Sequence, residues 1–142
     1  MLGAYGNARR NGPVVRSATL LILAIFSAPV LYGVVCVPAT GFLMAQFPEA
    51  INPQGGTHVT ALVLGIELLQ LATLVTCGAV VELISGRVDP SSRSITVATL
   101  LMLSIAIAVQ AQYWTALPVW HHGIFFLLIL TGMPAGRFWV RR

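Results

Sequence analysis

Long uncharged stretches alternate along this chain with short segments that hold almost all of its charges. Between Arg16 and Glu49 lie 32 uncharged residues, Ser17 to Pro48, and between Arg93 and Arg137 lie 43 more, Ser94 to Gly136. Val59 to Val81 adds 23 mainly apolar residues with Glu67 as their single charge. A helix crosses the hydrocarbon core of a bilayer with roughly 20 apolar residues. The first stretch therefore predicts one long span, Val59–Val81 a second, and the stretch before Arg137 two more with a turn between them. The expected fold is an all-α integral membrane protein, a four transmembrane helix bundle formed by a single domain over 1–142. Its spans are expected at about 18–44, 58–84, 94–112 and 120–136.

Helix breakers fall where this division needs them. The segment Phe47-Pro48-Glu49-Ala50-Ile51-Asn52-Pro53-Gln54-Gly55-Gly56 reads as a turn-rich loop. Gly86 stands where a C-terminal helix glycine belongs, and Asp89-Pro90 reads as an N-cap followed by proline at the first helical position. Tyr113-Trp114-Thr115-Ala116-Leu117-Pro118 makes the short turn before the fourth span.

Composition narrows the class further. Only 8% of the residues are charged and 57% are hydrophobic, with a mean hydropathy of +0.87. A soluble domain carries about 25% charged residues, and intrinsic disorder needs low hydrophobicity with high charge. Two cysteines, Cys36 and Cys77, form neither a disulfide framework nor a CxxC pair.

The arginines give the chain a direction. All eight basic residues are arginines: Arg9, Arg10, Arg16, Arg87, Arg93, Arg137, Arg141 and Arg142. They lie in the N-terminal segment, the 86–93 loop and the C-terminal segment, while the 45–57 and 113–119 loops hold none. Arginine asymmetry of this kind in short loops places both termini in the cytoplasm. Tyr113, Trp114 and Trp120 then fall at the outer interface, with Phe138 and Trp139 at the inner one. The arginines are expected to contact lipid headgroups or a partner, not nucleic acid, because all of them obey the topology rule. The first apolar stretch exceeds the 7–15 residues of a signal-peptide core, so it reads as a signal-anchor span. Val35 before Cys36 argues against lipidation there. The arginine-only basic set suggests a GC-rich bacterial genome, and the expected location is the bacterial inner membrane.

Few residues could carry chemistry. Glu67 lies near the middle of the second span, where an acid is costly and normally faces the bundle interior. At 100° per residue, Glu67, Gln70, Cys77 and Glu82 form a polar stripe along one helix face, with Thr60, Gly78 and Ser85 beside it. That stripe is either a proton or cation path or a set of hydrogen bonds to a neighbouring helix. Glu82, near the inner end and five residues before Arg87, reads as an acid at the interface. His58, His121 and His122 are the metal candidates on the outer side, suited to copper or haem iron or to the edge of a quinone site. Adjacent helical residues point about 100° apart, so at most one of His121 and His122 is expected to face a shared site. Gly33 and Gly41 on the first span, and Ser104 and Ala108 on the third, are expected to be helix-packing positions, with Ala24 and Ala28 among the small residues beside them. Pro29 and Pro38 are candidate kinks in the first span.

No nucleotide, hydrolase or metalloprotease motif is present, and no segment outside the spans is long enough for a soluble catalytic domain. The sequence therefore favours a non-enzymatic, structural or assembly subunit of a larger membrane complex, with other integral membrane subunits and lipids as partners and no cofactor beyond bound lipid. The alternatives are an oligomeric small transporter or channel that uses Glu67, and an outer-face metal, haem or quinone site at His58 with His121 or His122.

Overall fold

The computed structural model describes residues 4–48, 57–112 and 119–142, with side chains described over 14–48, 61–112 and 119–142. Four helices make up the fold: α1 (Ala4–Gln46), α2 (Thr57–Ser85), α3 (Arg93–Gln112) and α4 (Val119–Val140). Each is long and apolar enough to cross a membrane, and no strand occurs among the described residues. At 1.5 Å per residue, α1 is about 65 Å long, roughly twice the hydrocarbon thickness. It runs without interruption through Pro29 and Pro38. The fourth helix continues past the expected end at 136 to Val140, through Pro134.

The helices alternate in direction. Arg16 of α1, Gly86 after α2 and Val140 of α4 line one cleft, and Arg141 bonds the loop that leads into α3. The start of α1, the end of α2, the start of α3 and the end of α4 therefore share one end, the arginine end. The start of α4 and the end of α3 mark the other, the histidine end.

Helices α2 and α4 share the most extensive interface. A Cβ on Gly78 would strike the backbone carbonyl of Met133, and one on Gly136 would strike the carbonyl of Val75. Gly132 presses against Leu74 in the same seam. Gly132 and Gly136 form a GxxxG pair, the spacing that lets two backbones approach in lipid. The completely buried Leu74, Cys77, Val81, Ile129 and Met133 fill this seam, with Phe125, Met102 and Ala98 beside it.

Within this chain, the expected packing positions are not the ones that meet a neighbouring helix. Gly41, Ser104 and Ala108 are exposed, and nothing lies within 4 Å of a Cβ built on Gly33 or Gly41. On α1 the buried column is Ala24, Ala28 and Cys36, which keeps the four-residue spacing that Gly33 and Gly41 miss. On α3 the buried residues are Ser94, Ile95, Ala98, Thr99, Met102, Ala106 and Gln110. Ser104 and Ala108 lie on the opposite face, where the Ser104 hydroxyl donates to its own helix at the Leu100 carbonyl, 2.9 Å away. Gly86 corrects the expected left-handed helix end: the described glycines include none with positive φ, and the left-handed residue of this loop is Ser92 (φ 62°). Gly86 instead continues the helical bonding, its N–H donating to the Glu82 carbonyl at 2.7 Å, where a side chain would meet the Glu82 carboxylate.

Candidate functional site

The polar stripe of α2 lies on its buried face: Glu67, Gln70, Thr73, Cys77, Glu82 and Ser85 are all buried. Lipid cannot satisfy these groups, so the helix turns them toward its neighbours. The stripe divides into two clusters with an apolar seam between them.

At the histidine end, Glu67 meets His121. Glu67 is the eleventh residue of α2 and His121 the third of α4, and the two helices, which run in the same direction, bring them level. Nδ1 of His121 lies 2.5 Å from Oε1 of Glu67, with both side chains 6% exposed. The contact does not have the geometry of a hydrogen bond. Neither carboxylate oxygen of Glu67 has a hydrogen-bond donor, nor does Oε1 of Gln70 one turn along α2. His121 stacks on Phe125 (centroids 6.4 Å, planes 2° apart), and Phe125 in turn packs against Tyr32 of α1 at 6.3 Å.

His122 faces the other way. Its Nδ1 lies 2.5 Å from Oε1 of Gln110 on α3, and it is 1% exposed. The two histidines thus face different neighbours. Because α4 packs against both α2 and α3, side chains 100° apart both find a wall, and each histidine takes a different partner. Their ring centroids are 5.9 Å apart. The side chain of His58 lies outside the described residues, and among those described no three His, Cys, Asp or Glu residues converge.

At the arginine end, Glu82 is bound by α4. Nε of Arg141 donates to its Oε1 at 2.6 Å, and Arg137 Nε lies 3.7 Å from Oε2. The expected partner Arg87, nearer in sequence, makes no such pair. Arg141 also reaches the Ser92 hydroxyl (3.1 Å) and the Pro90 carbonyl (3.4 Å), joining α2, α4 and the loop before α3. In that loop Asp89 accepts from the Ser91 hydroxyl at 2.6 Å, the Ser94 hydroxyl at 2.5 Å and the Ser94 backbone N–H at 2.6 Å. Burial works to raise its pKa, but these hydrogen bonds and the nearby Arg93 outweigh it and bring the carboxyl down to about 2. Helix α3 starts at Arg93, three residues later than the Asp89-Pro90 reading implies. Asp89 caps it from outside through Ser94.

Cys77 and Cys36 fill the α1–α2 contact. The Cys77 thiol donates to the Ala28 carbonyl at 3.4 Å, and that of Cys36 to the Thr73 hydroxyl at 3.8 Å. Arg16, Arg87, Arg93 and Arg142 lie at the arginine end without a direct carboxylate partner among the described residues, and Arg142 rests on the Phe138 ring, 4.4 Å from its centroid. The side chains of Arg9 and Arg10 lie outside the described residues, as do the 49–56 loop and the turn 113–118.

The sequence did not point to Gln110, Tyr32 or the Gly132–Gly136 pair. For the glycines the signal was present, since GxxxG within an apolar helix marks close helix contact. Comparison with family models, with curated proteins and with solved structures finds no match.

Proposed function

We propose that the protein is a structural or assembly subunit of a larger complex in a bacterial inner membrane, with both termini in the cytoplasm. The observation that carries this reading is the closed seam of α2 and α4. Between the Glu67 and Glu82 clusters the two backbones meet at Gly78 and Gly136, and Leu74, Ile129 and Met133 are completely buried. Among the described residues, the α2–α4 seam therefore encloses no polar route from one end to the other. Helix α1 meanwhile leaves Ile22, Phe26, Val30, Val34 and Phe42 more than half exposed, together with the open Gly33 and Gly41. In that setting a neighbouring subunit packs on small residues by close approach, since lipid supplies no hydrophobic drive between helices. The gathering of the described arginines at one end supports the assigned orientation.

The test is the native mass of the tagged protein in the mildest workable detergent. A large assembly with partners in fixed ratio is expected. A mass equal to one, two or four copies of this chain would overturn the reading.

One observation favours a second reading, a small oligomeric transporter or channel. The Glu67–His121 contact joins two ionisable groups buried within the bundle, and intramembrane ionisable pairs often mark proton relays. Proton-coupled uptake into liposomes that is abolished by Glu67→Gln would establish it. Uptake that survives Glu67→Gln would remove it.

A further inference from the structure

We infer that the cleft between the start of α1 and the end of α2 is a binding site for the phosphate headgroup of an anionic phospholipid. The cleft has a volume of about 680 Å³, within the roughly 300–1,000 Å³ typical of small-ligand sites. Leu20, Leu83 and Val140 line its apolar part, and Arg16, Ser17 and Arg87 its polar part. The sequence assigns all eight arginines to headgroups or partners without distinction. The structure singles out these two.

Charge balance at the arginine end identifies the occupant. Glu82 also lines the cleft, but Arg141 holds it at 2.6 Å, with Arg137 close by. Asp89 is taken up by Ser91 and Ser94 and lies in the field of Arg93. Arg16 of α1 and Arg87 just after α2 face this cleft and form no ion pair with a carboxylate among the described residues. A guanidinium group binds a phosphate through paired N–H donors, and two of them suit a phosphodiester better than a zwitterionic headgroup whose own ammonium offsets the phosphate. Leu83, 68% exposed, continues the wall of the cleft onto the lipid-facing side of α2. An acyl chain can follow that surface, which a free phosphate ion would leave bare. This inference is independent of the way the chain is threaded through the membrane and of any partner subunit.

The test is native mass spectrometry of the protein released from micelles containing phosphatidylglycerol or phosphatidylcholine of identical acyl chains. One phosphatidylglycerol is expected to remain bound where phosphatidylcholine dissociates. Arg16→Gln with Arg87→Gln is expected to weaken its retention about 30-fold, at about 1 kcal/mol for each arginine near a lipid surface. Arg142→Gln, at the same end but outside the cleft, is expected to retain it, and unchanged far-UV circular dichroism confirms folding of each variant. Equal retention of both lipids would overturn the inference, as would an Arg142→Gln loss as large as that of the double variant.

Discussion

The imidazole of His121 and the carboxylate of Glu67, 54 residues apart in sequence, lie 2.5 Å from each other inside the helix bundle. The pair fastens the first turn of α4 to α2 at the histidine end, as Arg141 and Glu82 fasten the last turn at the arginine end. Between these two polar links the α2–α4 seam is apolar and closely packed.

Removing one member of the Glu67–His121 pair strands the other in an apolar site. Glu67→Gln or His121→Leu alone is expected to cost roughly 3 kcal/mol of stability. The double substitution is expected to cost clearly less than the sum of the two. Unfolding in mixed micelles, run as a double-mutant cycle, gives the coupling. Additive losses would show that the contact holds nothing together.

Glycines separate the real helix seam from the exposed surface. Gly78→Ala and Gly136→Ala each force a methyl group into a backbone carbonyl of the facing helix, and each is expected to cost about 1–3 kcal/mol or more. Gly33→Ala and Gly41→Ala meet open space and are expected to leave the melting temperature unchanged or slightly higher. Thermal melts of the four purified variants check this ordering.

The Asp89 cap gives a defined acid response. Its folded-state pKa, about 2, lies below the ordinary 3.8. The stabilisation it provides is therefore complete above the unfolded value and is lost as pH falls from about 4 to about 2. Asp89→Asn cannot follow that titration. The stability gap between wild type and Asp89→Asn is expected to close over this interval, as read by circular dichroism melts. A gap that stays constant down to pH 2 would contradict the assignment.

Ser104 and Ala108 distinguish folding from assembly. Both lie on the exposed face of α3, so Ser104→Leu and Ala108→Leu are expected to leave the melting temperature of the isolated chain unchanged. If the chain packs on a partner there, the same variants remove it from the large assembly, which native gels of membrane extracts would reveal.

The four helices were legible because uncharged runs of the right length have few other uses. The buried face of α2 was legible too, since Glu67, Gln70, Cys77 and Glu82 recur at helical spacing and lipid admits no other orientation. The inward faces of α1 and α3 were not. A helix that is apolar all round carries no contrast between its lipid-facing and protein-facing sides, so Gly33, Gly41, Ser104 and Ala108 looked as suitable as Ala24, Ala28, Ala98 and Ala106. Partners were equally hidden: Arg87 is five residues from Glu82 and Arg141 is 59, and only the parallel pairing of α2 with α4 decides between them. The partners of His121 and His122 were hidden for a related reason, because a helix wedged between two others has two inward directions.

The dry seam also determines how this bundle responds to an electric field. Glu67 and Glu82 are separated by 15 residues of α2, about 22 Å at 1.5 Å per residue, and the low-dielectric stretch between them takes most of any voltage drop. Carrying one elementary charge across the full potential is worth about 2.3 kcal/mol per 100 mV. Glu67 and His121 lie level with each other, so a charge exchanged between them would move sideways and sample almost none of that drop. The pair is therefore blind to voltage, and only a sliding of α4 along α2, which the glycine seam opposes, would make it electrically sensitive.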